Sequence, residues 1–180
     1  MEPVDVNWLL NNICAGSRGA LEKLYLLYYQ CLCDFACQIV KSADLAEEVV
    51  SDVFLAVWQK RETLEIRTSL KTYLYAAVRN QALLYLKKER LWEELDEQAQ
   101  SQAIEHYNPL DALLFRELNY SLDSIINRLP EQDRLILRLK LSGLTYAEVA
   151  KTLSLTEKTV EYRLSKSQSF LKRAYHQQQE

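Results

Sequence analysis

Only three glycines and three prolines interrupt this 180-residue chain. Average usage would supply about twenty. Backbone positions that need a positive φ are therefore scarce, and no Asn-Gly or Asp-Gly pair marks a hairpin. Long helices with short connections remain, and the hydrophobic content of 48% is sufficient to give them real cores. The expected fold class is all-α: two small helical domains joined by a flexible acidic linker, the second containing a helix-turn-helix.

Apolar residues recur at helical spacing in three early segments. Leu21, Leu24, Tyr28, Leu32, Phe35 and Ile39 define a first helix over residues 20–41. Asp44 opens a second, with Glu47 three residues later as a capping-box-like pair and Leu45, Val49, Val53 and Val57 on one face. Residues 61–69 read as a polar loop. A third helix runs from about Ser69 to Leu95 with Leu70, Leu74, Ala77 and Leu84 inward. Periodicity then fades through DEQAQSQAIEHYNP, so a domain is expected over residues 1–95, a linker over 96–110 and a second domain over 111–180. Within that second domain a helix is expected from Asp111 to about Arg128. Pro130 restarts the chain and Gly143 stops the helix that follows.

The terminal stretch GLTYAEVAKTLSLTEKTVEYRLSKSQSFLK is a tight helical hairpin. Thr145 and Glu148 form a capping box, and Val149, Ala150 and Leu153 turn inward. After a turn of three residues or so, Thr156 caps a second helix whose Val160 and Leu164 lie four apart on the inner face. That is the pattern of a helix-turn-helix. Its other side carries Glu157, Lys158, Glu161, Tyr162 and Lys166, with Thr156, Thr159 and Arg163 at the edges. Such side chains can meet phosphates and base edges, or can simply form a solvated face.

Charge is partitioned along the chain. Residues 1–95 carry a net −2, residues 96–127 a net −5 and residues 128–180 a net +4, within an overall −3. An anionic partner is thus expected for the basic end. No apolar run is long enough to cross a bilayer, and the N-terminus has no cleavable signal pattern, so the expected location is cytoplasmic. Cys31, Cys33 and Cys37 are metal-ligand types, but their spacing on a helix does not converge three sulfurs, and they read better as small hydrophobic residues. No metal, cofactor, small-molecule substrate or catalytic set is expected, and the chain is not read as an enzyme.

LPEQDRLILRLKLSGLTYAEVAKTLSLTEKTVEYRLSKSQSFLKR resembles the promoter-reading domain of bacterial sigma factors. DLAEEVVSDVFLAVW and TYLYAAVRNQALLYLKK resemble their amino-terminal domain. The short two-domain layout is similar to the extracytoplasmic-function sigma factors. The resemblance implies core RNA polymerase and promoter DNA as partners, with an anti-sigma protein as a third. It implies polymerase contacts at Glu47, Glu48, Ser51, Asp52, Phe54 and Leu55. The periodicity agrees for Glu48, Ser51, Asp52 and Leu55, which form a stripe away from the valine face. The resemblance further implies promoter melting by the loop over residues 62–69, which includes Arg67, and by Lys71, Tyr73, Tyr75, Arg79 and Asn80. Tyrosines interleaved with cations suit single-stranded DNA, although several could equally be core. Duplex contacts are implied at Thr156, Glu157, Lys158, Thr159, Glu161, Tyr162, Arg163 and Lys166. Two other readings stand beside this one: a helix-turn-helix regulator that acts without polymerase, and a helical adaptor whose basic end binds an acidic protein.

Overall fold

A computed structural model describes residues 6–95 and 125–177. The expected linker at 96–110, and the helix expected from Asp111 up to residue 124, lie outside the described residues. The chain divides into two compact units, Met1–Glu105 and His106–Glu180. Among the described residues every regular element is a helix.

The first unit contains α1 (Val6–Cys14), α2 (Arg18–Val40), α3 (Ala43–Gln59) and α4 (Leu70–Leu95). Helix α2 packs against the other three, and α3 packs on α4. The core is built from Leu9 and Ile13 of α1, Leu24, Leu32, Phe35 and Ala36 of α2, Val49, Val50, Val53 and Val57 of α3, and Leu74, Tyr75, Val78 and Ala82 of α4. Short polar side chains start the helices. Ser17 accepts the Ala20 N–H at 3.3 Å, Ser42 the Leu45 N–H at 3.3 Å and Ser69 the Thr72 N–H at 3.2 Å. Each satisfies a donor that the helix leaves unpaired. Ser42 replaces the expected Asp44 as the cap of α3. Asp44 instead lies in the first turn, where its charge complements the helix dipole.

The inward face of α4 differs from the expected one after Leu74. The sequence offers two apolar paths from that residue, one through Ala77 to Leu84 and one through Val78 to Ala82. The helices packed against α4 select the second. Tyr75 precedes Val78 by three residues and joins this stripe, where it is 1% exposed. Leu84 follows Ala82 by two residues, about 200° around the helix, and is 53% exposed.

In the second unit residues 125–127 are helical, followed by α5 (Glu131–Leu141), α6 (Tyr146–Leu153) and α7 (Glu157–Gln177). Pro130 occupies the cap position of α5. Gly143, at φ 84°, ends the connection after α5. Its N–H donates to Lys140 O, and the Leu144 N–H donates to Leu139 O at 3.2 Å. These two bonds are the Schellman pattern, and Leu144 is buried beside them. The Thr145–Glu148 capping box is complete: the Thr145 N–H donates to Glu148 Oε2 at 2.8 Å, and the Glu148 N–H donates to Thr145 Oγ1 at 3.2 Å.

Ser154 occupies the turn between α6 and α7 at φ 57°, ψ 44°. A left-handed position without glycine is strained by the Cβ–carbonyl contact. Ser154→Gly should therefore stabilise the second unit by about 0.5–1 kcal/mol. Thermal unfolding followed by circular dichroism checks this; a lowered midpoint would mean that the serine side chain contributes more than its backbone costs.

Candidate functional site

The first surface lies on α3. Glu47, Glu48 and Ser51 are exposed, and Leu55 is 53% exposed. The α3 core face carries Val49, Val53 and Val57, so helical periodicity turns these four residues outward. Asp52 is half-buried and faces α4. Its Oδ2 accepts from Gln81 Nε2 at 3.0 Å and from the Tyr85 hydroxyl at 2.8 Å, and the same hydroxyl lies 3.0 Å from Glu48 Oε1. Burial, together with these two carboxylates, holds the Tyr85 phenol well above the ordinary tyrosine range. Phe54 is turned into the core, 5.0 Å from the Tyr25 ring, and is not part of the open stripe. With Arg18, Leu21, Glu22, Tyr25 and Trp58 it lines a groove of about 440 Å³ between α2 and α3. Tyr29 stacks on Tyr25 at 4.4 Å. Neither Gln81 nor Tyr85 carries an expected role. Tyr85 could have been found as a polar-tipped ring three residues beyond Ala82, on the buried stripe of α4.

The second surface joins the loop after α3 to α4. Arg61 stacks on Trp58 with its guanidinium carbon 4.6 Å from the ring, and its Nη1 donates to Trp58 O at 2.9 Å. Arg67 is exposed and pairs with Glu65 at 3.4 Å. Asn80 is exposed, while Lys71, Tyr73 and Arg79 are half-buried. Burial raises the Tyr73 phenol. Tyr75 stands apart from this group. It is enclosed in the core with its ring edge-on to Phe35 at 5.2 Å, so stacking on a base is not open to it without unpacking the unit.

The third surface is the outer side of α7. Val160 and Leu164 are buried, at 0% and 4% exposure. Burying such side chains contributes about 1.5–3 kcal/mol each, which fixes the helix against α5 and α6. The opposite side then faces solvent: Thr156, Glu157, Lys158, Glu161, Tyr162 and Lys166 are all exposed, Tyr162 at 69%. Thr156 Oγ1 accepts the Thr159 N–H at 3.2 Å and shares a 2.8 Å hydrogen bond with the Thr159 hydroxyl. Both threonines therefore shape the helix start. Arg163 turns away from this surface. Its Nη1 donates to Asp133 Oδ1 at 2.7 Å, tying α7 to the first turn of α5. A buried carboxylate thus holds Arg163, one of the expected duplex contacts, toward α5.

Cys14, Cys31, Cys33 and Cys37 form no disulfide. Cys33 is buried, and burial pushes its thiol up to about 11. Among the described residues no three His, Cys, Asp or Glu side chains are grouped to hold a metal ion. Among them, too, no helix is long and apolar enough to cross a membrane.

Residues 24–91 match the family described as Sigma-70 region 2, and residues 120–167 the family described as Sigma-70, region 4. The chain belongs to the sigma-70 family. The match to region 2 falls in the unit that carries the acidic face of α3, and the match to region 4 in the unit that carries the α6–α7 hairpin. This family member is similar to two proteins of Bacillus subtilis (strain 168). It is 20% identical over 174 residues to the ECF RNA polymerase sigma factor SigW, covering 91% of this chain and 93% of the relative. It is 27% identical over 154 residues to the ECF RNA polymerase sigma factor SigX, covering 77% and 75%. Two solved structures share its fold. One is the sigma factor RpoE in complex with the anti-sigma factor NepR from Bartonella quintana, with a TM-score of 0.64, 20% identity, and coverage of 86% of this chain and 96% of that one. The other is CnrH in complex with the cytosolic domain of CnrY, with a TM-score of 0.63, 17% identity, and coverage of 95% and 97%.

Proposed function

We propose that this chain is an extracytoplasmic-function sigma factor: it binds core RNA polymerase and directs it to a class of promoters. The observation that carries this reading is the pairing, on one chain, of a region 2 unit and a region 4 unit whose second hairpin helix leaves a full side open to solvent. Each unit has its own task. Glu47, Glu48, Ser51 and Leu55 offer an acidic and apolar face to a basic helix of polymerase, with Asp52 at its edge. Arg67, Lys71, Tyr73, Arg79 and Asn80 meet the unpaired strand, where rings stack on bases and cations follow phosphates. Lys158, Glu161, Tyr162 and Lys166 face duplex DNA in the major groove, with the start of α7 nearest the bases. The chain works in the cytoplasm and performs no catalysis of its own. An anti-sigma protein is a further partner, as RpoE has in NepR.

Run-off transcription with purified core polymerase on genomic fragments tests the whole reading; the expected result is discrete transcripts that depend on the chain. The polymerase face is tested by Glu47→Lys with Leu55→Lys, two exposed positions on α3. Charge reversal and loss of apolar contact should lower core affinity by about tenfold or more. Co-purification with core at the wild-type yield would remove α3 from the interface.

A further inference from the structure

The Tyr85 hydroxyl sits between two carboxylates of α3 that are one helical turn apart, 2.8 Å from Asp52 and 3.0 Å from Glu48. A phenol carries one proton, so it can donate fully to one of them or share it between both. Gln81 supplies a second donor to Asp52 from the same helix, α4. Both of the donors to Asp52 are neutral, so its charge is held in place without being cancelled. Lys88 lies 5.7 Å from the Tyr85 ring centroid, over the ring and one turn further along α4. Two like charges held beside each other on a surface raise each other's attraction for an incoming cation, and fixing their rotamers beforehand spares that ordering cost when a partner arrives.

We infer that Tyr85 is a positioning residue for polymerase binding: through one hydroxyl it sets the Asp52 and Glu48 carboxylates as a preformed receptor for a guanidinium of the partner. This rests on the reading of α3 as the polymerase face. Tyr85 itself need not touch polymerase. Its influence passes through the two carboxylates, and removing them should remove that influence.

The test is a double-mutant cycle on affinity for purified core polymerase, with full-length chain throughout. Tyr85→Phe keeps the ring and deletes the hydroxyl. It should weaken core binding about tenfold or more, the scale of a hydrogen bond to a charged group. In a background of Glu48→Gln with Asp52→Asn, the same substitution should change affinity less than about twofold, since the charges it positions are gone. Gln81→Leu is a second, independent variant and should weaken binding about 2–5-fold, the scale of a single side-chain hydrogen bond. Equal losses from Tyr85→Phe in both backgrounds would show that the hydroxyl acts independently of the two carboxylates and would overturn the inference. So would no loss from either Tyr85→Phe or Gln81→Leu while Glu47→Lys with Leu55→Lys lowers core affinity about tenfold or more; in that case the polymerase face stands and only the role of Tyr85 falls. If the Glu47 and Leu55 variant binds normally, the face itself is wrong.

Discussion

Tyr75→Ala should cost the first unit about 3–5 kcal/mol, the range for deleting a buried aromatic ring. Tyr75 is enclosed among the helices of that unit, with its ring edge-on to Phe35. Alanine leaves a cavity that helices fixed by their own caps can only partly close. All three tryptophans, Trp8, Trp58 and Trp92, belong to Met1–Glu105, so their fluorescence in denaturant reports on this unit. The expected observation is a transition shifted to much lower denaturant, with core binding lost along with the fold. Tyr73→Ala is the contrast: a half-buried ring on the other side of α4, whose loss should affect open-complex formation more than stability. An unshifted transition for Tyr75→Ala, together with a defect confined to strand opening, would restore Tyr75 to the DNA-facing surface.

The second large effect is expected at Arg163. Arg163→Ala leaves Asp133, only 5% exposed, without its cation. Breaking a fully buried pair costs about 3–5 kcal/mol. The Arg163 side chain is 35% exposed, and solvent screening lowers the expected loss to about 2–3 kcal/mol. Upstream promoter binding should fall at every single-base variant alike, because α7 loses its anchor to α5 and no base contact is removed selectively. Replacing both partners, as Asp133→Leu with Arg163→Leu, should recover much of the stability, since no lone charge then remains buried. Thermal unfolding of the two single variants and the double variant measures this. Additive losses, with relaxed preference at one base position, would mean that Arg163 reads DNA and that its contact with Asp133 is incidental.

Local chemistry made much of the fold legible. The capping box at Thr145 and Glu148, the glycine stop at Gly143, the restart at Pro130 and the Val160–Leu164 pair all act within a few residues, and each lies where the pattern placed it. The exposed edge of α3 at Glu47, Glu48, Ser51 and Leu55 follows from the valine periodicity opposite. Ser42 and Asp44 are both good capping residues, and only the backbone decides which sits at the boundary.

Sequence alone determined that this chain forms helices, where most of them start and stop, and that its last two make a helix-turn-helix with a charged outer side. Tertiary structure decided which of several equivalent side chains does what. Helical periodicity fixes how residues on one helix are phased against each other, but a helix with two apolar paths takes the one its neighbours cover. Hence Tyr75 is core while Tyr73, two residues earlier, keeps a solvent edge. Arg163 and Asp133 are 30 residues apart, and Tyr85 and Asp52 are 33 apart. Charge and hydroxyl chemistry made each a candidate for many partners. Only the packing of α7 on α5 and of α4 on α3 brought these two pairs within hydrogen-bond distance, tying Arg163 to Asp133 and giving Tyr85, a residue with no expected role, its hold on the acidic face.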